Sequence, residues 1–240
     1  MKKSMLFSLI VIFLLIPATL FLGTRLTGRM YYLTSTLVVM EVMLPFFFAF
    51  ETRRPQAREL VTIAVMCALA TAARVVIHIP GFKPILGIIM VAGIAFGAEA
   101  GFLTGAVSAF ASNFFFSQGP WTPWQMMAYG IGGFMAGLLF HKKRPFPGRP
   151  WLSTLALSAV GFLTVMLVVG PLLDTCTVFT TGSKITRKFV LAVYAAGFPY
   201  NLNHAIACAL TMLLFGRPLL AKLDRLKTKY GMMDVREENP

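Results

Sequence analysis

The sequence predicts an all-α membrane protein in which a six-helix core follows two additional transmembrane helices. Three observations carry the prediction. Apolar residues make up 57% of the chain and fall in long blocks. Only 13% of residues are charged, about half the share of an ordinary soluble domain. The blocks do not alternate apolar with polar residues, as barrel strands would. A helix of about 20 apolar residues spans the hydrocarbon core, and it satisfies its own backbone there.

Eight blocks can be read, at 5–23, 30–50, 60–79, 85–98, 101–116, 125–140, 151–173 and 189–215. Lys2 and Lys3 precede the first, as in a signal peptide. That run is long, however, and no small-x-small cleavage site follows, so a retained helix is expected. The second block holds Glu41, for which a pair with Arg74 and an interfacial position are both open. Gly97-Ala98-Glu99-Ala100-Gly101 reads as a tight turn between the fourth and fifth blocks. The other reading, one helix through Glu99, buries a carboxylate at depth. Residues 1–55 thus hold two helices and a basic linker with Pro55, and residues 56–220 hold six. Residues 221–240 form a charged tail, expected to begin as a short cytoplasmic helix.

The net charge of +13 would suggest nucleic acid in a soluble protein. Here Lys and Arg lie between the apolar blocks, so nucleic-acid binding is set aside. With the N-terminus inside, the inner segments hold fifteen Lys and Arg, from Lys2 and Lys3 through Arg53, Arg54, Arg58, Lys142, Lys143, Arg144 and Arg149 to the six between Arg217 and Arg236. The outer set is seven: Arg25, Arg29, Arg74, Lys83, Lys184, Arg187 and Lys188. The bias places both termini in the cytoplasm. Arg74, near the outer end of its block, is expected to snorkel outward.

Cys67, Cys176 and Cys208 are far apart and show no metal-ligand spacing, so neither a disulfide nor a metal site is expected. No P-loop, HExxH or GxSxG motif is present. Few carboxylates lie in the blocks, which argues against a proton relay.

Ala64, Ala68 and Ala72 recur every fourth residue and share one helix face. Small residues let helices approach closely in membranes; internal packing and docking of a partner subunit both fit. Gly93, Gly97, Gly101, Gly105, Gly133 and Gly137 repeat the spacing and read as internal packing. The uncharged outer loop Ser117-Gln118-Gly119-Pro120-Trp121-Thr122-Pro123-Trp124-Gln125 is stiffened by two prolines. It fits an aromatic anchoring belt or a surface for a flat, polar-edged ligand. In the last block, Pro199, Tyr200, Asn201, Asn203 and His204 set polar groups near membrane depth. They serve either interhelical bonding or a cavity. Asn201 and His204 share a face. Asn113 and Asp174 fall at the outer ends of their blocks.

Residues 56–220 resemble the S component of energy-coupling factor (ECF) vitamin transporters. The resemblance is carried by Ala57-Arg58-Glu59-Leu60-Val61 with the alanine-spaced helix after it, the Phe96-Gly97 to Gly101 turn, the Gly119 to Gln125 loop, and Pro199-Tyr200-Asn201 to His204-Ala205. Among S components the chain is most similar to the cobalamin-specific ones. The resemblance implies a bacterial cell-membrane protein with a six-helix core and cytoplasmic termini, which captures a vitamin at its outer side and has no cofactor of its own. It also implies that the Ala64, Ala68 and Ala72 face meets a membrane-embedded T component. Two cytoplasmic ATPases on separate chains would then topple the subunit. Residues 1–55 exceed the usual core. For a ligand of cobalamin's size, Trp121 and Trp124 would cover apolar faces. Asn113, Gln118, Gln125 and Asn201 would pair with its amides, and Tyr200 and His204 would line the floor.

Two other functional classes fit the sequence less well. An intramembrane enzyme could use His204, but His78 and His141 belong to opposite membrane sides. A secondary transporter would show similar halves, and none is evident.

Overall fold

The computed structural model describes residues 3–25, 31–53, 57–77, 79–181 and 185–232. Lys2, Arg29, Arg54, Lys184 and Arg236 of the charge count, with Pro55 and His78, lie outside the described residues. Among the described residues all regular structure is helical. Helix α1 comprises Lys3–Ile10, Val11–Leu15 and Ile16–Arg25 in one rod. It is followed by α2 (Tyr31–Arg53), α3 (Ala57–Val76), α4 (Ile85–Phe96), α5 (Ala98–Phe116) and α6 (Thr122–Phe140). Two longer rods close the chain, α7 (Pro150–Thr180) and α8 (Arg187–Tyr230).

Four of these are long and apolar enough to cross a membrane: Met5–Arg25 within α1, α3, α7 and α8. Helix α4 has 12 residues, all buried. It is a central helix enclosed by protein, which accounts for its even hydrophobicity. Its neighbours α5 and α6 are rich in Gly, Ala and Ser. They pack on each other and α6 packs on α4.

That packing is backbone against backbone. A Cβ added at Gly93 would lie 2.2 Å from the Gly133 carbonyl oxygen, one at Gly101 2.4 Å from the same atom, and one at Gly105 2.3 Å from the Tyr129 oxygen. A Cβ at Gly137 would lie 2.6 Å from the Ala98 nitrogen. The glycine spacing therefore serves internal packing, as close approach in membranes requires. The expected turn narrows to Gly97, whose φ of 100° suits glycine. Glu99 is already in the first turn of α5, where a carboxylate is favoured by the helix dipole.

Three rods widen into one π-helical turn, at Val11–Leu15, Val165–Val169 and Met212–Gly216. Each precedes a proline: Pro17, Pro171 and Pro218. Proline donates no hydrogen bond, and its ring crowds the carbonyl four residues earlier. Those carbonyls, on Phe13, Leu167 and Leu214, sit in the wide turns, so the helices absorb the clash by local expansion.

The N-terminal hairpin lies against the glycine-rich helices, with α2 packed on α5 and α6. Ser8 Oγ donates to Glu99 Oε1 at 3.4 Å. Thr19 Oγ1 donates to Glu41 Oε1, so Glu41 is held by α1 and not by Arg74. Its other oxygen, Oε2, is buried without a hydrogen-bond partner. Helix α8 continues past Leu220 without a break. Leu220 and Leu223 are buried, and Lys227 Nζ donates to the Ala95 carbonyl at 2.9 Å. Asp224 pairs with Arg144 and, at 3.1 Å, with Lys227.

Candidate functional site

Residues 79–84, the end of α5, the loop before α6 and the middle of α8 meet at one end of the bundle, the end that the charge count assigns to the outside. Arg74 organises it. The residue is 8% exposed, and its side chain turns into the protein instead of snorkelling outward. The cause is local: α5 and α6 offer acceptors within reach. Arg74 Nη1 donates to Ser112 Oγ and, at 2.9 Å, to Asn113 Oδ1, and Nη2 donates to Gln125 Oε1 at 3.4 Å. The guanidinium also lies 5.2 Å from the Phe116 ring centre and 5.7 Å from that of Tyr129, within cation–π range.

Asn113 is fully buried. Its Nδ2 donates to Gln125 Oε1 at 2.9 Å and to Thr122 Oγ1 at 3.2 Å. Thr122 donates in turn to Gln118 Oε1 at 2.8 Å and accepts from the Gly119 amide. Gln118 Nε2 donates to the Phe110 carbonyl at 3.2 Å. Asn113, Gln118 and Gln125 are thus brought into one network with Arg74. Ser117, with φ of 76°, turns the chain sharply at the end of α5, so Gln118 folds back beneath the loop.

His204 reaches the same cluster from α8. Its ring meets Tyr129 edge-on at 5.7 Å, the residue is buried, and Nε2 has no hydrogen-bond partner. Lys83 also approaches Phe116, with Nζ 4.9 Å from the ring centre, and donates to the Ile77 carbonyl at 2.9 Å. Burial, then the Arg74 charge, holds the Lys83 ammonium below its ordinary pKa.

The remaining sequence-selected residues are less centrally placed. Trp124 is buried and stacks on Phe179 at 6.0 Å with an interplanar angle of 15°. Trp121 is exposed and folds over Gly119, where an added Cβ would lie 2.4 Å from its ring. The two indoles therefore do not face each other across a common gap. Asn201 Nδ2 donates to Asp174 Oδ2 at 2.7 Å and rests on Gly170, where a Cβ would meet it at 2.6 Å. Asp174 itself packs on Gly197. Tyr200 has its backbone against Gly81, and the residue is 63% exposed. Asn203 packs by the positive-φ Gly81.

Sequence reasoning missed Tyr129, Phe116 and Lys83 and gave Arg74 another role. The signal for Arg74 was its lone charge near the end of an apolar block. Among the described residues no group of three His, Cys, Asp or Glu side chains is placed to hold a metal.

On α3, Ile63, Met66, Ala70 and Arg74 are buried, whereas Ala64, Ala68 and Ala72 are exposed. Beside the alanines runs an apolar groove of about 530 Å³ lined by Cys67, Ala68, Thr71, Ala72, Val75, Val76, Ala111 and Phe115.

No curated protein and no solved structure matches the chain. The family model described as "ECF-type riboflavin transporter, S component" matches residues 55–223, well over half of the chain, and stops short of the N-terminal hairpin. The chain therefore belongs to the ECF-type transporter S-component family, whose members are membrane-integral transport subunits and not enzymes.

Proposed function

We propose that this chain captures a vitamin at the Arg74 end and delivers it as one subunit of an ATP-driven importer. The supporting observation is the convergence of Arg74, Asn113, Gln125, Tyr129 and His204, with His204 Nε2 buried and unpaired. Buried polar atoms are nearly always paired in native proteins, so a ligand atom is a fitting partner. The amide network supplies donors and acceptors for a polar-edged ring system, and Trp124 with Phe179 supplies an aromatic wall.

Cobalamin is the ligand proposed from likeness to the cobalamin-specific S components. Riboflavin is the second reading, favoured by the description of the matching family. The six core helices, the cytoplasmic termini and the outward-facing site belong to the same proposal. So do the partners: a membrane-embedded T component and two cytoplasmic ATPases. The exposed Ala64, Ala68 and Ala72 face supports docking of the T component, since these small side chains are not covered by the chain's own described helices. Residues 1–54 lie outside the family match, and the N-terminal extension is proposed to brace the glycine-rich pair α5 and α6.

Titration calorimetry of the purified protein with cobalamin, riboflavin, thiamine and folate tests the reading. Tight binding of cobalamin or riboflavin supports it and chooses between the two. Binding of none of the four, by protein that remains folded, overturns it.

A further inference from the structure

We propose that the ligand presents an anionic oxygen group, a phosphate or a carboxylate, between Arg74 and Lys83. This rests on the reading of the Arg74 cluster as the ligand site and adds a chemical class to it.

Two cations share one aromatic ring here. Arg74 and Lys83 lie 5.2 and 4.9 Å from the centre of Phe116. Neither meets a carboxylate among the described residues. The partners of Arg74 are a hydroxyl and two amide oxygens, and Lys83 donates to a backbone carbonyl. Asp174 is the acidic side chain at this end among the described residues, and Asn201 engages it. The ion pairs among the described residues, Arg144–Asp224 and Lys227–Asp224, lie at the opposite end. Two cations set about one ring and partly withdrawn from water repel one another with less screening than in bulk solvent. A buried charge without a counter-charge is costly and marks function in membrane proteins.

His204 is the second, independent sign. Its Nε2 is buried and unpaired, and its ring packs on Tyr129, the ring that Arg74 also approaches at 5.7 Å. A neutral vitamin would fill the amide network but leave the two positive charges unanswered. An anionic oxygen placed between them would accept charge-assisted hydrogen bonds, which are about twice as strong as neutral ones. A planar guanidinium and an ammonium also suit the tetrahedral phosphate and the planar carboxylate alike.

The test uses the full chain purified in lipid-free detergent, with ligand pairs that differ in a phosphate. These are riboflavin against riboflavin 5′-phosphate, and cobinamide against cobinamide phosphate. The phosphate-bearing member of at least one pair should bind about tenfold more tightly, the worth of one charged hydrogen bond. Arg74→Gln and Lys83→Gln should each remove most of that preference. Lys83 lies in a loop, so its variant carries the test if Arg74→Gln fails to fold. Inorganic phosphate should also raise the melting temperature of the wild type and not of Lys83→Gln.

If a vitamin binds with no preference for phosphate, and both variants bind it as the wild type does, the anion inference is wrong and the importer reading stands. If no vitamin binds but phosphate still stabilises through Lys83, the importer reading fails and the anion site stands. Stabilisation by phosphatidylglycerol vesicles and not by inorganic phosphate would assign the cations to a lipid head group and overturn the inference.

Discussion

Arg74 Nη1 donates to Asn113 Oδ1 at 2.9 Å across the contact between α3 and α5, with both residues buried. The same amide bonds Gln125 and Thr122 on α6, so one side chain links three helices. Asn113→Ala removes an acceptor from a buried guanidinium and should destabilise the protein by about 1–3 kcal/mol. Thermal unfolding in detergent measures this. Unchanged stability would show that solvent reaches Arg74.

The glycine contacts predict a sharp contrast. Gly101→Ala places a Cβ 2.4 Å from a backbone oxygen that cannot swing away. It should cost about 1–3 kcal/mol or more, as overpacking does. Gly216→Ala meets nothing nearer than Met212 Cβ at 3.9 Å and should leave the melting temperature almost unchanged. The yield of monodisperse protein from both variants checks the ranking.

Replacing Ala68 by Phe adds bulk to an exposed face of α3. Ligand affinity should be unchanged, while co-purification with the T component and cellular uptake should be lost, because close helix approach needs small residues. Assembly and uptake at wild-type levels would assign this face to lipid.

Trp124→Ala removes a ring stacked on Phe179, and Asn201→Ala leaves Asp174 without its amide donor. Each should weaken vitamin binding by about 1–3 kcal/mol. Calorimetry on the folded variants reads the loss. Tyr200→Ala, at an exposed position, should weaken binding less than either.

Orientation can be probed by cysteine labelling. The native thiols are buried and should stay silent. Ser117→Cys, at an exposed outer-loop position, should react with a membrane-impermeant maleimide in cells lacking an outer barrier. Lys143→Cys, also exposed, should react only after permeabilisation. The reverse pattern would invert the topology derived from Lys and Arg.

What the sequence determined by itself was whatever depends on local composition. Helices follow from apolar blocks because lipid leaves the backbone no other partner. The close contact at Gly93, Gly101, Gly105 and Gly133 follows from spacing, because residues four apart share a helix face. Asn113, Gln118 and Gln125 were legible as candidates because uncharged amides are conspicuous in apolar surroundings. The tertiary structure alone decided the rest. An Arg at the end of a block can reach water or turn inward. The inward choice depends on Ser112, Asn113 and Gln125, which lie about 40 to 50 residues away in sequence. Trp121 and Trp124 are equivalent by composition, yet one lies over Gly119 and the other against Phe179. His204 was visible as a polar residue, but its buried, unpaired nitrogen and its packing on Tyr129 were not. Side-chain pairing between helices is a long-range property, and helical periodicity carries no record of which faces will meet.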